Sequence, residues 1–271
     1  MRQSKIHTLK ILGLSLFFIN APIQAAPLND TGITFGGNYP DTNNSDCSGV
    51  SIETQDCSQG RDAAAAQGTL TKIGGGNAGF DFTKLDSNGN DLAASASSWT
   101  CVRDNVTGLI WEVKQGLNET QGDQGLHNGD DLFNWYNTDP ATNGGFEGYA
   151  DNDGAICSGY QAGNATSYCN TQAFVARVNA VGLCGHRDWR LPNVDELLSI
   201  VDNDHTKPSI DTVYFPNTPS SGFWSSSPYA NYSDYGNYSD YAWSVFFDDG
   251  YINYNYKSST LRVRLVRGGQ R

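Results

Sequence analysis

The stretch 223–267, FWSSSPYANYSDYGNYSDYAWSVFFDDGYINYNYKSSTLRVRLVR, decides how this chain is read. It holds eight of the fourteen tyrosines, at 229, 232, 235, 238, 241, 251, 254 and 256. Its two ends look like scaffold. Phe223-Trp224 enters a strand, and Tyr241 to Phe247 forms another. Asp249-Gly250 is a tight-turn pair, so Tyr251 to Tyr256 returns as a hairpin partner. Leu261, Val263 and Leu265 alternate with Arg262 and Arg264, which predicts a last strand with one buried face and arginines on its polar side.

The middle of the stretch is different. PYANYSDYGNYSDY repeats NYSDY at 231–235 and 237–241, and Tyr recurs every third residue from 229 to 241. That spacing fits neither the strand period of two nor the helix period of 3.6, so it predicts a loop rich in aromatic rings. Tyr, Ser, Asn, Asp and Gly also dominate antibody combining loops, where Tyr offers rigid area at low entropy cost. Exposed aromatics stack on sugar rings, and Asn and Asp hydrogen-bond sugar hydroxyls. The bland alternative is a tyrosine-rich core edge beside a low-complexity loop. A dense exposed aromatic patch without a use would be an aggregation liability, which favours binding. The candidate ligand-binding residues are Tyr232, Tyr235, Asn237, Tyr238, Asp240, Tyr251, Asn253, Tyr254, Asn255 and Tyr256. On an alternating strand only half of 251–256 can face outward. Trp99, Trp111, Trp189, Trp224 and Trp243 are assigned to the core, and Arg190 and Glu196 to bracing it.

Upstream, Thr171 to Gly182 is the clearest helix, capped by Asn170 or Thr171, with Phe174, Val175, Val178 and Val181 at helical spacing. Pro192 keeps Trp189–Leu191 extended. Asn193 with Glu196 reads as a capping box for a second helix. Trp99 to Val113 predicts two strands about a turn at Asp104–Gly108. Phe80 to Leu92 predicts a hairpin about Asn88-Gly89. Asp86, Asn88 and Asn90 have the alternate spacing of a calcium loop, but the Gly is misplaced and no Glu closes it, so a turn is preferred. Asp151 and Asp153 are likewise read as an Asx turn rather than a cation site. Residues 115–168 form a long polar insertion. Residues 27–78 read as a loosely structured lead-in, with Gly74–Gly76 a hinge into the main domain and Ala63–Ala66 able to form a helical turn, though no amphipathic pattern surrounds it.

Residues 1–26 have the features of a signal peptide: Lys5 and Lys10, the short apolar run 11–19, then small residues with cleavage after Ala25 or Ala26. Export is therefore expected, to the periplasm, the cell surface or the medium, with no membrane span in the mature chain. Removing that segment takes away Arg2, Lys5 and Lys10 and moves the formal charge from −12 to −15. Such a balance argues against nucleic acid and against a simple electrostatic trap for acidic glycans. Six cysteines, 47, 57, 101, 157, 169 and 184, predict disulfides in an exported chain. They allow 15 pairings, among which spacing does not choose firmly. The favoured set is Cys47–Cys57 and Cys157–Cys169 as short loops, leaving Cys101–Cys184 as a long staple. There is no G-x-S-x-G and no H-E-x-x-H, and His127, His186 and His205 are scattered, so an enzyme is not expected, nor a cofactor or metal.

CVRDNVTGLIWEV (101–113), AFVARVNAVGLCGHRDWRLPNVDELLSIVD (173–202), FWSSSPY (223–229), YAWSVFFDDG (241–250) and VRLVRGG (263–269) together resemble the Lcl C-terminal domain family, domain of unknown function family 1566. The resemblance covers residues 79–271. It implies an α+β, C-type-lectin-like fold with two helices, a twisted antiparallel sheet and long loops. It implies an exported, adhesin-like protein that binds a protein or glycan ligand on a surface. The family also includes variable proteins of diversity-generating retroelements, in which mutated Asn codons become Tyr, Ser or Asp codons; the 229–256 tract fits that pattern. WRLPNVDELLSIV (189–201) is also similar to formylglycine-generating enzymes, which share the fold. Those use a C-terminal cysteine pair, and this chain has no Cys after Cys184, so a degenerate enzyme of that type is the alternative, with a purely structural envelope protein as a third.

Overall fold

A computed structural model describes residues 29–38, 42–45, 47, 54–151, 154–229, 232–233 and 236–268. In chain order its elements are α1 (Gly60–Ala66), β1 (Phe82–Leu85), β2 (Cys101–Asp104), β3 (Leu109–Glu112), β4 (Phe133–Asn134), α2 (Thr171–Val181), α3 (Val194–Leu198), β5 (Gly222–Pro228), β6 (Tyr232–Ser233), β7 (Gly236–Asn237), β8 (Tyr241–Phe246), β9 (Tyr251–Tyr256), β10 (Thr260–Leu261) and β11 (Val266–Gly268). The fold is α+β, with few helices and several antiparallel sheets. The expected signal peptide lies outside the described residues.

The predicted 99–113 hairpin forms as β2 and β3, with Val102 opposite Trp111. Gly108 closes its turn at φ +74°, a left-handed conformation that suits glycine, and its N–H reaches the Asp104 carbonyl at 2.9 Å. β1 flanks β2 and β11 flanks β3, giving the order β1-β2-β3-β11. The C-terminal stretch makes a second antiparallel sheet, β5-β8-β9. Both predicted helices form. Asn170 caps α2 by accepting the Ala173 N–H at 2.7 Å, and Asn193 and Glu196 make the reciprocal capping box of α3. Arg190 braces as expected, with two 2.7 Å bonds to the Glu196 carboxylate and a third to the Gly268 carbonyl.

Strand alternation sends neighbouring residues into different cores. Phe223 and Val245 join Phe82, Trp111, Leu197 and Phe215 in one cluster. Trp224 and Ala242 join Phe133, Trp135, Phe174, Trp189 and Leu265 in another. The β5-β8-β9 sheet therefore carries a core on each face at its buried end. The three disulfides are Cys47–Cys57, Cys101–Cys184 and Cys157–Cys169, the favoured set. Among the described residues no helix is long and apolar enough to cross a membrane.

Several expectations are corrected. The Asn88-Gly89 turn forms, but the returning leg is a single bridge, Leu85 to Asp91, and the ladder partner of β1 is β2. The lead-in is not loose where it is described. The Ala run does turn helical, over residues 60–66, but Asp62 takes the Gly32 and Gly79 N–H groups at 2.9 and 2.6 Å, and Asn29 bonds Asp104 and the Ser199 carbonyl. Gly74–Gly76 is no hinge. Gly75 and Phe82 exchange two backbone hydrogen bonds, and a Cβ on Gly74 or Gly75 would collide with the Phe82 carbonyl or the Tyr214 hydroxyl. These glycines serve close approach. The 115–168 insertion supplies core: Phe133, Trp135 and Cys157 are buried. Val181 is 71% exposed, because it ends α2 on the outer side. Trp99 is only half-buried, its ring covered by the Lys84 ammonium at 3.6 Å.

The largest correction is the last strand. It is split, with β10 pairing β4 and β11 pairing β3, and Arg264 between them is fully buried. Arg264 donates to the Glu112 carbonyl and the Thr218 hydroxyl, each at 2.7 Å. Glu112, also buried, accepts from Lys114 (2.9 Å) and from the Leu265 N–H (2.8 Å), and His127 Nδ1 lies 2.7 Å from it. This buried charge knot joins β3 to the chain's end. Burial alone would push the Glu112 carboxyl up, but Lys114 and His127 more than reverse that and hold it at about 2.

Glu112→Gln should cost roughly 3–5 kcal/mol in urea unfolding, because it leaves Lys114 buried without its counter-charge. Glu112 titrates in the folded chain below its ordinary 4.5, so its contribution is present above that pH and fades toward about pH 2. The wild type should therefore lose more stability than Glu112→Gln as pH falls through that window, read from urea midpoints.

Candidate binding site, an exposed tyrosine face

The Asp249-Gly250 turn sets the register of β8 against β9, and the register decides which side chains share a face. Tyr241 lies opposite Tyr256, Trp243 opposite Tyr254, and Val245 opposite Ile252. Val245 is buried in the core, whereas Tyr254 and Tyr256 at the far end are 45% and 52% exposed. Tyr229, just past β5, lays its ring over this end. Its centroid is 4.6 Å from Tyr254, 4.9 Å from Trp243 and 5.8 Å from Tyr238. Tyr241 lies 4.2 Å from Tyr256, 5.5 Å from Tyr254 and 5.8 Å from Tyr238. Six rings thus form one connected patch of tilted and edge-to-face contacts, the arrangement that ring quadrupoles favour. Hydrogen bonding to Tyr256 pushes the Tyr241 hydroxyl well above its ordinary titration range.

The expected site residues divide. Tyr238, Tyr254 and Tyr256 lie in the patch. Tyr251, Asn253 and Asn255 alternate to the opposite face of β9. There Tyr251 stacks on Phe246 at 5.0 Å, and Asn255 bonds the Ser244 hydroxyl at 2.8 Å. Asp240 turns inward: its Oδ1 is buried without a hydrogen-bond partner, and its backbone carbonyl accepts the Lys257 N–H at 2.7 Å. Tyr235 lies outside the described residues. Tyr232 and Asn237 pair through their backbones in the short β6–β7 ladder, where a loop rich in aromatic rings was expected.

Tyr229, Tyr241 and Trp243 were not singled out as site residues, and Trp243 was assigned to the core. It is half-buried in the patch, because its partner across the ladder is the edge residue Tyr254. Counting outward from the Asp249-Gly250 turn would have found Tyr241 and Trp243. Nothing in the local sequence marks Tyr229.

Lys257 underlies the patch. It is fully buried, and its ammonium donates to the carbonyls of Asn143 (2.8 Å), Phe146 (2.7 Å) and Ser239 (2.6 Å) while lying over the Trp135 ring at 4.3 Å. Burial lowers its titration to about 8, against the pull of Asp240. One side chain therefore ties the insertion, the tyrosine loop and the end of β9 together.

Other polar sites carry less. An open cleft of about 560 Å³ beside α3 is lined by Asn137, Thr142, Arg190, Leu191, Asn193, Glu196 and Ser226, and the Arg190–Glu196 pair in it is closed on itself. Asp86 is an Asx turn, accepting the Asn88 and Asn90 N–H groups at 2.8 and 2.9 Å, as expected. Asp151 accepts from Tyr160, and Asp153 lies outside the described residues. Asp30, Asp56 and Asp62 bring carboxylate oxygens within 4.8 Å of one another, a set able to hold a cation. Burial and its acidic neighbours raise Asp62 to about 6.

A family model for the Lcl C-terminal domain matches residues 100–267, a span that contains the whole patch and Lys257. No curated protein and no solved structure matches the chain.

Lys257→Met should keep the fold but strand three buried carbonyls, costing about 2–4 kcal/mol in urea unfolding. Amide exchange should speed up in 137–149 and 238–241 and stay unchanged in β2 and β3. Equal acceleration throughout would contradict a local role.

Proposed function

The chain belongs to the Lcl C-terminal domain family, and from that premise we propose that it is an exported, C-type-lectin-like protein of adhesin type. Its tyrosine face takes a glycan or protein ligand on a surface. The observation that carries this reading is the connected, partly exposed patch of Tyr229, Tyr238, Tyr241, Trp243, Tyr254 and Tyr256. These rings offer flat apolar area with hydroxyls at its rim, which suits the faces and hydroxyls of a sugar or the side chains of a protein. Because Lys257 and the packed rings already order the patch, little entropy is left to lose on binding.

Charge narrows the ligand. The chain carries −12 overall, and Lys257 beneath the patch is buried and committed to three carbonyls. A neutral or cationic ligand fits this better than a sulfated one. The tract is also where codon diversification would act on such a scaffold; a reverse transcriptase gene and template repeat beside its gene would support that.

The test is binding of the full chain to an array of glycans and surface proteins. For a hit, Tyr238→Ala, Tyr254→Ala and Tyr256→Ala should each weaken binding about tenfold, about 1.4 kcal/mol. Tyr251→Ala and Asn253→Ala, on the opposite face, should change it by less than about twofold. A hit that survives all three patch substitutions in folded protein moves the site to the cleft beside α3. No hit in any class counts against a ligand-binding role.

A further inference from the structure

Among the described residues β9 is an edge strand, paired with β8 alone. In an antiparallel ladder alternate residues turn their backbone groups to one side. The Lys257 N–H points inward to the Asp240 carbonyl, so Ile252, Tyr254 and Tyr256 turn their N–H and C=O groups outward. The Tyr254 N–H agrees in phase: its acceptor is the Asn253 side chain at 2.9 Å. The Tyr256 carbonyl takes the Ser259 N–H at 2.8 Å and keeps a second lone pair.

Edges of this kind are usually blunted by Lys, Pro, a bulge or a covering segment. Residues 251–256, YINYNY, contain neither charge nor proline, and their register against β8 is unbroken. Tyr251, Ile252, Tyr254 and Tyr256 are each at least 42% exposed.

We propose that this edge pairs antiparallel with β9 of a second copy, about a two-fold axis at Tyr254. The sequence favours a copy of itself as the occupant. About Tyr254 the paired residues are matched in chemistry and uncharged: Ile252 falls opposite Tyr256, Asn253 opposite Asn255, and Tyr254 opposite itself. This register joins all three outward-facing residues of each copy to outward-facing residues of the other. It also sets the acidic Asp248-Asp249 turn beside Ser259 and Thr260 of the second copy rather than beside its own kind. A two-fold axis normal to the sheet keeps both tyrosine patches on one side, so the pair is bivalent toward a surface. The pairing does not depend on the identity of any ligand.

Sedimentation velocity of the full chain, from low to high micromolar, should show its mass rise from one chain toward two. Ile252→Lys should weaken the dimer about tenfold or more at an unchanged melting temperature. All six native cysteines are paired, so an introduced cysteine is the only thiol. Tyr254→Cys should give a covalent dimer with a short bis-maleimide, whereas Ile252→Cys and Tyr256→Cys should cross-link efficiently only when mixed. A monomer at every concentration, a dimer indifferent to Ile252→Lys, or cross-linking that ignores this register would overturn the proposal.

Discussion

The Lys257 ammonium is the contact on which the tyrosine face depends. A buried lysine is costly unless its charge is met, and here three carbonyls and an aromatic ring meet it. The carbonyls come from two segments far apart in sequence, the insertion at 143–146 and the tyrosine loop at 239. β9 delivers the lysine because its strand ends there, immediately after Tyr256. The same residue that ends the exposed strand thus anchors the loops around it.

The rest of the scaffold gives Lys257 a fixed place to act. The sheet β5-β8-β9 is held from both sides by packed cores, with Phe223 facing one and Trp224 the other. The Glu112–Lys114–Arg264 knot fastens the segment after β9 to β3. Cys101–Cys184 ties β2 to the turn after α2. Burying that many charges is expensive, and their retention where hydrocarbon would fit is consistent with a premium on one defined arrangement. For the binding role proposed above such definition is an advantage, because each ring already ordered is one fewer to order on binding.

Much of this was legible in the sequence. The capping box at Asn193, the hairpin at 99–113 and the Asp249-Gly250 turn are local signals, and local signals translate directly. Of the 15 cysteine pairings the sequence left open, the favoured one, two short loops and a remainder, is the one that forms. What failed was non-local. Arg264 sits at a position that reads as solvent-facing, and only the distant Glu112 makes its burial tolerable. Lys257 carried no signal of its own, because its acceptors lie more than a hundred residues upstream as well as nearby. The glycines at 74–76 were read as freedom when they provide clearance for Phe82 and Tyr214. Within the site, the alternation of β9 correctly warned that half the strand would turn away, but not that Trp243 and Tyr229 would complete the patch.

The most direct test of the central claim is hydroxyl-radical footprinting of the full chain, with and without its strongest array binder, read residue by residue by mass spectrometry. Protection is expected at Tyr238, Tyr254 and Tyr256, with Tyr149 and Val213 unchanged although both are exposed. Protection confined to the cleft of Asn137, Arg190 and Ser226, with the tyrosine rings still reactive, would contradict it.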